Sequence, residues 1–345
     1  ALGAHTAWLE RTAVQAVGKE WALDLPSRVV LAGRVALFYS QKLLLPLDLA
    51  FIYPRWTVDP HAPLQWLPPL AVFLALFLAW RFRERLGRGP FAFLLLFGGV
   101  LFPAMGFFNV YPMRFSWVAD HFAYQAVAVF AAAAVCGAAT YLGRAPVAAR
   151  RTATALGVVL LGFLGLLTFR QARIYKNEQT LWTDTLSKNP SCFICNTNYG
   201  IWLMENGRDS EAAAYLEASV RLKPDEVPTL LNLAQIRERQ GRGDEAPALL
   251  RAALRVDPAN AAALINLAKA DARAGRTDEA IASYREALRL GSPGDYLAHN
   301  GLGVVLMLQG KEAEAVEHFR ESLRLKPDYA SARANLDRAL AGGRR

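Results

Sequence analysis

The chain has 345 residues, 53% of them hydrophobic, and a net charge of +9. A basic excess spread along the whole length would suggest nucleic acid, but residues 1–176 hold 17 Lys and Arg against 7 Asp and Glu, whereas residues 177–345 hold 22 against 23. Cations gathered beside apolar segments set membrane orientation, so the charge balance argues for a membrane and against a nucleic-acid partner.

Two regions follow, a transmembrane region 1–176 and a repeat region 177–345. Residues 1–25 lack the basic start, apolar core and cleavage site of a signal peptide. Residues 1–8 read instead as the tail of an earlier span, and the chain as the C-terminal portion of a larger membrane protein. The 28–53 segment is apolar, yet Arg28, Arg34, Gln41 and Lys42 fall on one helical sector. It is expected to lie in the membrane interface, with a fifth span, Lys42 reaching back to the headgroups, as the alternative.

Four stretches are expected to cross the bilayer, each near the ~20 apolar residues required: 64–82, 90–111, 121–143 and 152–169. Gly98, Gly99, Pro103 and the alanines of 131–134 suit close helix packing in lipid. Arg81, Arg83, Arg85 and Arg88 lie between the first two stretches, and Arg144, Arg150 and Arg151 between the last two. Positive charge stays inside, which places the 109–120 loop and the repeat region on the periplasmic side of a bacterial inner membrane. Arg170, Arg173 and Lys176 pull mildly the other way.

The second region repeats. Gly207, Gly241 and Gly275 are 34 apart and Gly310 follows after 35; Pro224, Pro258, Pro293 and Pro327 keep the same rhythm. Small residues recur at Ala212, Ala246, Ala280 and Ala315, and again at Ser219, Ala253, Ala287 and Ser322. Larger apolar residues sit between them at Leu216, Leu250, Tyr284 and Phe319. Turn glycines, small contact residues and spacer prolines at this period make paired helices of the tetratricopeptide type. The fold class is therefore all-α: a polytopic helical bundle followed by an α-solenoid. A partial unit covers 177–192, four units cover 193–329, and 330–345 forms a solvating cap.

Asn198, Asn232 and Asn266 share one position in the first helices, and Asn335 repeats it in the cap. An amide offers both donor and acceptor to a peptide backbone, so these four are candidates for a polypeptide-binding groove. They equally suit a structural role between helices. Asn300 is one residue out of register, with Gly301 in its place.

Material for chemistry is sparse. The five histidines show no metal-ligand spacing, and no metal site is expected. Cys192 and Cys195 form a single Cys-x-x-Cys without the second pair that zinc needs; they are expected to pack, with a disulfide or redox role as the alternative if the repeat region is periplasmic. The 111–124 loop is richer, with Arg114, Asp120 and His121 at the mouth of two stretches among aromatic residues. A guanidinium there suits a lipid phosphate. The alternative is an interfacial belt of Tyr111, Trp117 and Tyr124.

Three runs carry a resemblance: FIYPRW at 51–56, PMRFSWVADHFAY at 112–124 and LWTDTLSKNP at 181–190. Together with the repeats, they resemble the C-terminal part of bacterial relatives of the transmembrane-and-tetratricopeptide-repeat protein O-mannosyltransferases, which have a GT-C fold. The resemblance implies transfer of a sugar from a polyprenyl-phosphate carrier, the donor, to Ser or Thr of a polypeptide acceptor held by the repeats. It implies carrier-phosphate contacts for Arg114, His121 and Asp120, joined by Lys42 and Arg55. The family's acidic catalytic residue has no matching position here, so no catalytic residue is assigned and these residues alone are expected to be inactive. The competing expectation is a non-enzymatic, membrane-anchored scaffold gathering protein partners for envelope or pilus assembly.

Overall fold

A computed structural model describes residues 23–342 apart from Val110 and Arg144. The expected tail of an earlier span at 1–8, Arg144 of the basic loop and the Tyr111 side chain lie outside the described residues. The described elements are all helical. They fall into two compact units, Ala1–Cys195 and Asn196–Arg345.

The first unit opens with helix Leu25–Leu44, whose Asp24 side chain accepts from the Ser27 amide at 2.9 Å and caps the first turn. Val30, Leu31, Val35 and Tyr39 are buried along one face. The helix meets Leu67–Arg81 at Gly33, where a Cβ would stand 2.3 Å from the Pro69 backbone nitrogen. Only glycine permits that approach.

Among the described residues, three helices are long and apolar enough to cross a membrane: Pro63–Arg81, Asp120–Gly143 and Val147–Lys176. Leu25–Leu44 is not among them. Nor is the 90–111 stretch, which was expected to span. Its helix runs only over Gly89–Leu101, followed by a short 3-10 turn at Phe102–Ala104. Pro103 lacks the N–H that a continuing helix would use, and Gly106 takes a positive φ of 84°, outside the helical region. Along the three long helices, Leu, Val and Phe side chains such as Phe73, Val135, Val159 and Leu161 point away from the protein. Water tolerates such continuous apolar surface poorly; a bilayer does not penalise it, and helices satisfy their backbone internally.

Four helix pairs build the repeats: Phe193–Glu205 with Asp209–Leu222, Val227–Arg239 with Ala246–Val256, Ala261–Arg273 with Thr277–Leu290, and Asp295–Leu308 with Glu312–Leu325. Helix Ala330–Gly342 follows them. Gly207, Gly241, Gly275 and Gly310 have φ between 73° and 75°. The next amide in each case reaches back to a first-helix carbonyl, as Arg242 does to Arg237 at 2.8 Å. That is the Schellman closure, which puts glycine in the left-handed region. The small-residue series is fully buried, with Ala212, Ala246, Ala280 and Ala315 at 0% exposure. Buried Thr197 shares hydroxyl bonds of 2.7 Å with both Ser219 and Thr229, so the polar atoms of the first junction are paired.

Candidate functional site

Each unit carries a recess with polar groups in its wall. In the repeats it lies between the second and third pairs, with a volume of about 170 Å³, lined by Ala234, Gln235, Glu238, Ala246, Leu250, Asn266 and Lys269. Gln235, Asn266 and Lys269 are exposed and half-buried Glu238 pairs with Arg273. The site therefore offers two amides and an ammonium above an apolar floor.

The next junction shows why the recess is local. Tyr284 there occupies the position of Leu250, and Gly301 that of Asn266. A Cβ at Gly301 would lie 2.3 Å from the Tyr284 ring and hydroxyl. The ring takes the space that an asparagine would need, and burial pushes its phenol up to about 12.

The four candidate amides are thus not equivalent. Asn266 borders the recess. Asn232 donates to its own helix at Pro228, 2.8 Å away, and Asn198 is half-buried. Asn335 donates to Asn300 Oδ1 at 2.9 Å, so the out-of-register residue ties helix Asp295–Leu308 to Ala330–Gly342.

In the first unit a cavity of about 350 Å³ is bordered by Phe51, Phe115, Asp120, His121, Tyr124 and Tyr175, among others. Asp120 accepts from the Tyr53 hydroxyl at 2.7 Å. Burial, and then the Asp120 charge, hold the Tyr53 phenol well above its usual range. Tyr39 accepts from the Ala119 amide at 3.1 Å and donates to its carbonyl at 2.9 Å, fixing the loop just before Asp120. Lys42 donates to the carbonyls of Leu47 and Asp48, and Lys188 to that of Leu49 at 2.7 Å. Burial lowers the Lys42 ammonium below its ordinary value, while Asp48 and Asp120 work against the shift.

Of the sequence candidates, Asp120 and His121 border this cavity and Lys42 acts electrostatically on Asp120. Arg114 and Arg55 are not in its wall. The Arg114 guanidinium stands 5.8 Å from the Phe115 ring centre, and Arg55 lies 4.2 Å over Trp117. Sequence reasoning missed Tyr39, Tyr53, Tyr175 and Lys188. Tyr53 and Lys188 carried a signal, since they sit inside the 51–56 and 181–190 runs. Cys192 and Cys195 take the alternative to simple packing and are joined in a buried disulfide with Cα atoms 5.3 Å apart. Among the described residues no group of three or more His, Cys, Asp and Glu could hold a metal.

A tetratricopeptide repeat family model matches residues 231–295 and 265–330. The helix pairs are tetratricopeptide repeats. Such repeats bind peptide or protein partners. No curated protein matches the chain. Among solved structures, PilF of Pseudomonas aeruginosa is 25% identical, over 44% of this chain and 69% of that one, with a TM-score of 0.41. PilW, described as a widely conserved type IV pilus biogenesis factor, is 25% identical over 44% and 70%, also at 0.41. YrrB, a tetratricopeptide protein with an unusual peptide-binding site, is 18% identical over 50% and 87%, again at 0.41.

Proposed function

We propose that the repeats bind an extended polypeptide segment at the recess between the second and third pairs, in a protein held at a membrane by its apolar helices. The recess carries this reading, because it combines Asn266 and Gln235, two amides able to meet a peptide backbone, with an apolar floor at Leu250. Lys269 at its edge favours an acidic residue in the bound segment. The Cys192–Cys195 disulfide supports an oxidising compartment for this part of the chain. Displayed random peptides selected on the protein in nanodiscs should be enriched in Asp and Glu, and Lys269→Glu should reverse that enrichment. Equal composition before and after the substitution would remove Lys269 from the site.

The cavity beside Asp120 supports a second reading, that of sugar transfer from a polyprenyl-phosphate carrier to Ser or Thr of the bound segment. Aromatic walls suit the faces of a sugar or a prenyl chain, and Asp120 offers a carboxylate to sugar hydroxyls. His121 in the wall, with Lys42 acting on Asp120 beside it, would contact the carrier phosphate. Asp120→Asn and His121→Ala should each weaken polyprenyl-phosphate-sugar binding in nanodiscs, by on the order of tenfold if one charge-assisted bond is lost. Unchanged binding in both would leave polypeptide recognition as the only reading.

A further inference from the structure

Within each repeat the two helices meet at a recurring pair of positions. In the second pair these are Leu230, in an apolar cluster, and Leu249, packed against that cluster. The same positions in the fourth pair, 69 residues on in both cases as for the turn glycines Gly241 and Gly310, hold His299 and His318. Neither showed metal-ligand spacing in the sequence, and helix pairing brings them together. Their Nδ1 atoms are 2.9 Å apart.

The ring centres are 5.2 Å apart, about the nitrogen–nitrogen distance plus two ring radii, so the imidazoles point head-on at one another. That is the geometry of one shared proton, with one Nδ1 donating and the other accepting. Two ligands converging on a metal would instead aim their lone pairs off the line between the nitrogens.

We propose that His299 and His318 form an acid-sensitive clasp in the fourth repeat. Near neutral pH one shared proton ties helix Asp295–Leu308 to helix Glu312–Leu325. Acid puts a proton on every ring nitrogen, replaces the bond with two facing cations, and opens the last repeat of the array.

The charged surroundings enter with both signs. Helix Asp295–Leu308 contributes Asp295, helix Glu312–Leu325 contributes Glu314, Glu317, Glu321 and Arg324, and helix Thr277–Leu290 contributes Arg285. Helix Ala330–Gly342 carries Arg333, Asp337 and Arg338, none of which is among the groups acting on the pair. Burial is the largest influence on both rings and lowers both, ahead of the acidic neighbours that raise them. The unfolded chain therefore takes up protons first. Stability is complete above the ordinary histidine value of about 6.5 and is lost as pH falls from there through the lower folded values.

Hydrogen exchange of the full chain in nanodiscs, at about pH 7.5 and 5.5 to bracket histidine titration, reads this directly. After correction for intrinsic exchange, amides of 295–325 should open on the order of tenfold more at the lower pH. Those of 227–256, with leucines at the same positions, should not. The double substitution His299→Leu and His318→Leu copies the second repeat and should abolish the acid response. If that variant folds poorly, His318→Gln alone should reduce the response by removing one titrating ring. An acid response equal in both repeats, or undiminished in the variants, would overturn the clasp.

Discussion

Gly301→Asn, which restores the amide that the fourth repeat lacks, should destabilise the protein by about 2–3 kcal/mol, the upper range for forcing extra atoms into a packed site. The new Cβ would overlap the Tyr284 ring, which is 4% exposed and has little room to withdraw. Asparagine has a modestly better helix propensity than glycine, worth a few tenths of a kcal/mol, and this does not offset the overlap. Tyr284→Leu in the same chain recreates the Leu250–Asn266 junction and should recover most of the loss. The two changes must therefore be strongly non-additive, as expected for residues in contact. Urea unfolding followed by circular dichroism measures this. Additive effects would show that Gly301 and Tyr284 are not coupled.

The repeats were legible because their signals are geometric. A turn with φ near 74° needs glycine, and fully buried helix contacts need Ala or Ser, so Gly241 and Ala246 announce themselves at a fixed period. Span length was legible by the same logic wherever nothing interrupts the helix. At 90–111 the helix is shorter than the apolar stretch, ending by Ala104 next to Pro103; composition counts apolar residues and not the backbone bonds that Pro103 removes. Gly301 was visible as an interruption of the asparagine series, but its reason was not, because Tyr284 lies in the preceding helix pair. The same limit hid Tyr53 from Asp120, 67 residues apart, and His299 from His318, 19 apart. Periodicity reports which face of a helix is buried. It does not report which side chain on another element meets it.

The Tyr284–Gly301 junction also supplies a test of the binding site, since it is the protein's own way of filling the recess. Leu250→Tyr combined with Asn266→Gly would place that filled arrangement between the second and third pairs. Surface mutations risk weakening binding by loosening the fold, whereas this exchange keeps a packing solution that the array already uses. Filling about 170 Å³ and deleting the Asn266 amide removes the recess without touching Lys269. Peptides selected on the unaltered protein then serve as probes, by fluorescence anisotropy on the full chain in nanodiscs. Unfolding midpoints should stay close to those of the unaltered protein, and affinity should fall at least a hundredfold, about 2.8 kcal/mol at 1.4 kcal/mol per tenfold. Retention of full affinity by a well-folded L250Y/N266G protein would contradict polypeptide binding at this recess.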